Sequence, residues 1–248
     1  MNLLAIDTGT EFLSIAACRT GVAEPWAQQS AGGARASSEL LPAVLRLLGE
    51  AELPLTALDA LVFGAGPGSF TGLRTACSVV QGLALGAQRP VLPVDSLLAV
   101  AEDARYRSSP DAPTLQVMAL LDARMDEMYC AHYAFAAGRW QMLHDSYLLR
   151  PEDLALPDSP DSEDSTNPAP WLLAGNVFEV YAQRLPQAVL QAATVVHALP
   201  TAPALLRLAP ALLQAGGAVD AALAMPRYVR DKVAKTTAER MAEKAAAA

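Results

Sequence analysis

Lysine is scarce in this chain: Lys232, Lys235 and Lys244 are the only three, all near the C-terminus. With 26 acidic residues against 18 lysines and arginines, the net charge is -8. A protein that grips tRNA or DNA by itself shows a broad basic face, because neutralised phosphates supply the affinity. The charge argues against a stand-alone nucleic-acid binder and leaves open a subunit that assists one. The one basic cluster, Arg227, Arg230, Lys232 and Lys235, reads as a solvated or intersubunit helix end. Cysteine is also sparse. Cys18, Cys77 and Cys130 lie far apart and form no CxxC, which excludes a disulfide framework and a zinc knuckle and leaves buried thiols in a reducing compartment. The histidines, His132, His144 and His197, include no pair four residues apart. Such a pair shares one helical face and lets a metal bridge it, so a metalloprotease or metal-dependent transferase site is not expected. No apolar run approaches the ~20 residues that span a bilayer. The opening Met1–Asp7 has no basic residue ahead of its apolar run, unlike a signal peptide. A soluble cytoplasmic protein with no membrane partner is the expectation.

The apolar residues that are present, 52% of 248, can fill one large core or two modest ones. Leu3–Asp7 and Phe12–Cys18 read as strands, and Val22–Gln28 as a third that returns after Thr20-Gly21. A helix follows over 38–49, with Leu41, Val44, Leu45 and Leu48 at helical spacing and Pro42 in its first turn. Asp59–Phe63 is a strand, 71–86 a helix lined with small residues, Val91–Val94 a strand, and Ser96–Arg105 a helix.

Between the strand and helix of that middle section lies GAGPGSFTGLR, residues 64–74. It lacks the lysine of a Walker loop and the third glycine of a dinucleotide fingerprint. It reads as a strand-to-helix reversal in which Pro67 fixes one φ and Gly66 and Gly68 permit positive φ. Ser69 or Thr71 can cap the helix; a phosphate at the helix N-terminus stays open. Ser69 lies outside any Gly-x-Ser-x-Gly elbow, so a serine hydrolase is not expected and no catalytic residue is assigned.

After a linker-like stretch, Ser108 to Pro113, the pattern restarts. Leu115–Asp122 is again an apolar strand ending in Asp. Met128–Phe135 and Trp140–Leu148 follow, then Trp171–Gly175 and Val195-Val196. This internal repeat of roughly 115 residues implies duplication into halves 1–108 and 109–235, with an acidic, proline-rich loop at 157–170 and a tail at 236–248. Two similar α/β halves, each opening on a strand that ends in Asp, describe the fold of actin, Hsp70 and sugar kinases, the ASKHA fold. There the first turn, here Asp7-Thr8-Gly9-Thr10, lies under nucleotide phosphates. In this chain the second turn, Asp122-Ala123-Arg124-Met125, has no glycine. Asp7 and Asp122 therefore have two readings. They cap turns, or Asp7, Thr8, Gly9 and Thr10 keep a residual site for weakly bound ATP or ADP with Mg²⁺.

LLAIDTGTEFLSIAA, GAGPGSFTGLRTACSVVQGLALG, LLDARMDEMYCAHY and PRYVRDKVA together resemble the bacterial TsaB (YeaZ) family, over residues 1 to about 235. The resemblance implies a non-catalytic subunit in the synthesis of N6-threonylcarbamoyladenosine at position 37 of tRNA. It implies the catalytic paralogue TsaD and the ATPase TsaE as partners, a homodimer when TsaD is absent, and tRNA contact only through the complex. It also implies an interface on the helices at 38–49 and 71–86. The candidate interface residues are Leu41, Leu45, Leu73, Ala76, Val80 and Leu83. The second helix supports this by being apolar on more than one side. An active phosphotransferase or ATPase of the same fold is the competing reading.

Overall fold

The computed structural model describes residues 1–157 and 171–230. Most of the acidic loop, the tail, Lys232, Lys235 and Lys244 lie outside the described residues.

The first half runs β1 (Leu3–Asp7), β2 (Phe12–Cys18), β3 (Trp26–Ala31), α1 (Ala36–Glu50), β4 (Ala60–Gly66), α2 (Phe70–Ala87), β5 (Val91–Asp95) and α3 (Ser96–Ser108). Its strands form one sheet in the order β3-β2-β1-β4-β5. The second half runs β6 (Thr114–Arg124), β7 (Glu127–Ala136), β8 (Arg139–Leu149), β9 (Trp171–Gly175), short helices α4 (Val177–Val180) and α5 (Gln187–Ala192), β10 (Thr194–His197) and α6 (Ala202–Gln214). Its sheet order, β10-β9-β6-β7-β8, repeats the first strand for strand. Each first strand pairs antiparallel with the second and parallel with the fourth. The duplicated α/β architecture expected from the repeat is present.

Two local expectations are corrected. The third strand is Trp26–Ala31, not Val22–Gln28, and pairs Ala17 with Trp26 and Phe12 with Ala31. Pro25 has no N–H to give a ladder, so pairing starts after it. Helix α1 begins at Ala36, which moves Pro42 from the first turn into the helix interior. Pro42 is exposed there, so the ring meets solvent and not the core.

Both faces of the first sheet are apolar, which demands cover on both sides. Leu4, Ile6, Ile15 and Phe63 face α1 and α2. Leu3, Ala5, Val62 and Leu92 face Leu205, Leu208 and Ala209 of α6. Helix α3 packs Leu97, Val100 and Ala104 against Val117, Ala119 and Tyr133 of the second sheet. The last helix of each half thus shares a core with the other half's sheet. Glu102 of α3 fastens this layer: it is buried and accepts from Arg105 Nε at 2.9 Å, Arg207 Nε of α6 at 2.8 Å and Trp140 Nε1 of β8 at 3.0 Å. Burial pushes the Glu102 pKa up, but these bonds outweigh it and hold the carboxyl below its ordinary value.

Candidate functional site

The turn after β1 meets the glycine loop directly. Asp7 is buried; its Oδ1 accepts from Gly9 N–H at 2.9 Å and its Oδ2 has no partner. Burial, only partly opposed by the Gly9 N–H, lifts the Asp7 pKa from 3.8 to about 7. Thr8 Oγ1 donates to the Gly72 carbonyl at 2.7 Å. The Gly9 carbonyl accepts from Ser69 N–H at 2.7 Å. Thr10 Oγ1 accepts from Phe12 N–H at 3.2 Å.

These contacts explain the glycines. A Cβ on Gly72 would lie 1.8 Å from the Thr8 carbonyl oxygen, one on Gly68 2.7 Å from the Gly9 oxygen, and one on Gly64 1.8 Å from Asp7 Oδ2. Gly66 alone of these needs a positive φ, +114°. The expectation of left-handed backbone thus holds at Gly66, while Gly68 is required by close backbone approach. The loop lies on the β1–β2 turn and launches α2, whose cap is Ser69 Oγ accepting from Gly72 N–H at 3.4 Å.

A cavity of about 510 Å³ lies between the halves. Gly9 and Thr10 line it, whereas Asp7 and Thr8 lie beneath and do not. The opposite wall is the β6–β7 turn. There Asp122 Oδ1 accepts from Arg124 N–H at 2.8 Å and from Tyr181 O–H at 2.8 Å, the work of a turn cap. Arg124, Met125 and Asp126 all have positive φ. A third wall is the segment 227–230. Of the reading of Arg227 and Arg230 as a solvated or intersubunit helix end, the solvated part is corrected, because Arg227 pairs with Asp95 and Asp145 and Arg230 with Glu127. Their charge is neutralised within the chain. Sequence reasoning quoted PRYVRDKVA but missed this, since the partners lie about 80 to 130 positions away.

Among the described residues, no group of three His, Cys, Asp or Glu side chains could hold a metal. His132 and His144 stack across β7 and β8 with ring centroids 5.4 Å apart, and His132 Nε2 lies 3.0 Å from Tyr147 Oη. Burial and the His144 charge lower the His132 pKa to about 4. His197 lies at the end of β10, distant in the fold's strand order. No helix among the described residues is long and apolar enough to cross a membrane.

The second surface is the outer side of α1 and α2. Leu40, Val44 and Leu47 turn inward, leaving Leu41 and Leu45 exposed at 42% and 51%. On α2 the interface expectation is corrected: Leu73, Ala76 and Val80 are buried in the chain's own core. Leu83 is half-buried, and the outward crest is Arg74, Ser78, Gly82 and Leu85. The extra apolar side of α2 is covered by the chain itself. Ala221 and Ala224 join its core, and their carbonyls accept from Gln81 Nε2 at 3.1 and 3.0 Å. Hydrophobic periodicity marks such a side as covered without saying by what.

A family model described as "TsaD: tRNA N6-adenosine threonylcarbamoyltransferase" matches residues 31–238. The chain is 31% identical over 235 residues to the tRNA threonylcarbamoyladenosine biosynthesis protein TsaB of Escherichia coli, covering 94% of this chain and 96% of that one. The TsaB of Haemophilus influenzae is 39% identical over 129 residues, 52% of each. The solved structure of YeaZ from Pseudomonas aeruginosa superposes with a TM-score of 0.77 at 38% identity, covering 92% of this chain and 99% of that one.

Proposed function

Because the chain belongs to the TsaB (YeaZ) family, we propose that it serves tRNA threonylcarbamoyladenosine biosynthesis as a non-catalytic scaffold. In this reading it docks the catalytic paralogue TsaD, cooperates with the ATPase TsaE and meets tRNA only within that cytoplasmic complex. The observation that carries it is the α1–α2 face. Leu41 and Leu45 stand exposed beside a crest that carries Gly82 and Gly86. Small residues let a partner helix approach closely, and exposed leucines give it apolar area to cover. The first turn supports the same reading: the Thr8 hydroxyl, its donor, is taken up by the Gly72 carbonyl, and the Gly9 carbonyl is taken up by Ser69 N–H.

One face serving both a homodimer and the TsaD complex makes the two assemblies compete. Substitution at Ala76 or Val80 would disrupt the fold, so the informative variant is Leu45→Arg. It should fold by circular dichroism, stay monomeric, lose TsaD in mass measurements and fail to support modification of tRNA in a reconstituted mixture. A folded Leu45→Arg that still dimerises and still binds TsaD places the interface elsewhere.

The second reading, an ATPase or phosphotransferase, is favoured by Gly9 and Thr10 lining a cavity large enough for a small ligand. Incubating the isolated chain with ATP and Mg²⁺ decides it. Turnover that vanishes in Asp7→Asn would replace the scaffold reading.

A further inference from the structure

The last described residues return from the second half to the first and then cross back. Beyond α6, Val219 forms an antiparallel bridge with Val91, its N–H donating at 2.8 Å and its carbonyl accepting at 2.9 Å. Arg227 N–H donates to the Ala65 carbonyl at 2.6 Å. From that anchor its guanidinium forks. Nη1 donates to Asp95 Oδ2 at 3.1 Å, at the start of α3; Nη2 donates to Asp145 Oδ1 at 2.5 Å, on β8. Val229 joins the core of the second sheet. Arg230 donates to the Ala123 carbonyl at 3.1 Å and to Glu127 Oε2 at 2.5 Å, on either side of the β6–β7 turn. Tyr228 points the other way and accepts from Arg74 Nε of α2 at 2.9 Å.

We propose that Arg227–Arg230 is a clasp that holds the two halves closed over the cavity between them, with Arg227 as the residue that spans them. A guanidinium presents donors in a rigid fork and can satisfy two carboxylates at once. Here the two carboxylates belong to different halves. Asp95 is held ready: its Oδ1 caps α3 through Leu97 N–H at 2.8 Å and accepts from Tyr133 O–H at 3.0 Å, leaving Oδ2 for Arg227. The charge balance acts in the same sense. Asp95, Asp145 and Glu127 face the clasp's two cations, so release leaves carboxylates of both halves without their cation. The Glu102–Arg207 layer joins the halves through α3 and α6, which do not line the cavity. Opening the clasp therefore frees the cavity walls without separating the helices. This inference is independent of whether the α1–α2 face docks a partner.

Hydrogen exchange of the full chain, read by mass spectrometry, tests it. Arg227→Ala should speed exchange about tenfold or more at the cavity walls, residues 9–11, 68–70 and 121–125. Amides within β1, β4 and residues 114–120 of β6 should keep their rates. Asp145→Asn, at an exposed carboxylate, should give a weaker version of the same pattern. Arg19→Ala, which breaks an ion pair confined to the first half, should leave the cavity walls unchanged. Two results overturn the clasp: wall rates in Arg227→Ala within about twofold of the parent, or a rise in all strands alike, which marks mere packing. Should Arg227→Ala fail to fold, Asp145→Asn decides alone, the local pattern supporting the clasp and unchanged rates overturning it.

Discussion

The two halves share one strand order and differ in what fills the same connections. Between the fourth and fifth strands the first half places the 18-residue α2, and the second half places α4 and α5, of four and six residues. The second half lengthens its strands instead, with β6, β7 and β8 at 11, 10 and 11 residues against 5, 7 and 6 in β1, β2 and β3. The outer side of the second sheet is filled by its own Trp171, Tyr181 and Leu185. The outer side of α1 and α2 leaves leucines exposed. Duplication supplied two copies of a sheet. One copy carries two long helices with exposed leucines over its sheet, and the other fills the same place with short helices and loops.

That contrast can be broken most severely at the layer both halves share. Glu102→Ala leaves the half-buried Arg105 and Arg207 without their carboxylate, and loss of one partner from a fully buried pair, about 3–5 kcal/mol, sets the upper limit of the cost. Chemical denaturation should show it as one cooperative loss. Two separate transitions would show that the halves fold independently.

Two glycines of α2 sharpen the comparison from inside one helix. Gly72→Ala drives a Cβ against the Thr8 carbonyl and should cost about 3 kcal/mol. Gly82→Ala meets nothing within 4 Å and should stabilise the monomer by up to about 1 kcal/mol. Thermal melts of the pair read the difference. Equal effects would refute the contact between the glycine loop and the first turn.

The strand-end carboxylates differ as well. Asp7 is sealed and its pKa raised to about 7, whereas Asp122 is bonded to Tyr181 and Arg124. The folded chain keeps the Asp7 proton up to about pH 7, while the unfolded carboxyl loses it near 3.8. The native state then binds more protons across that window, so stability falls as pH rises through it and levels off above. Asp7→Asn should remove about 2 kcal/mol of that decline between pH 5 and 8, measured by denaturation at each pH. Asp95, also raised by burial, leaves a residual slope. An unchanged slope in Asp7→Asn would sink this account of Asp7.

The smallest expected effect is a deliberate silence. Val180 is 55% exposed on α4, and Leu45 is 51% exposed on α1. Leu45→Arg should weaken association by about 2 kcal/mol or more. Val180→Arg should stay within about 0.5 kcal/mol of the parent. Sedimentation of both variants, alone and with TsaD, compares the two faces. Equal weakening would show that the α1–α2 face is not special for association.

Much of this was legible in the chain. Continuous apolar runs ending in Asp located β1 and β6, and their recurrence gave the duplication. The scarcity of lysine and the lack of a CxxC or of histidines four apart set expectations against whole chemistries, because those chemistries need particular atoms at particular spacings. The motifs gave the family. Other features were out of reach of local pattern. Leu73, Ala76 and Val80 have the same apolar character whether the chain's own residues or another chain cover them. The tertiary structure decided that Ala221 and Ala224 return to pack beside α2. It also decided that the glycines of residues 64–72 answer to carbonyls of the first turn, and that Arg227 joins Asp95 to Asp145. The physical reason is range. Strand alternation and helix periodicity act over a few residues and are written in the sequence. A close backbone approach or a forked guanidinium depends on groups that become neighbours only when distant segments meet.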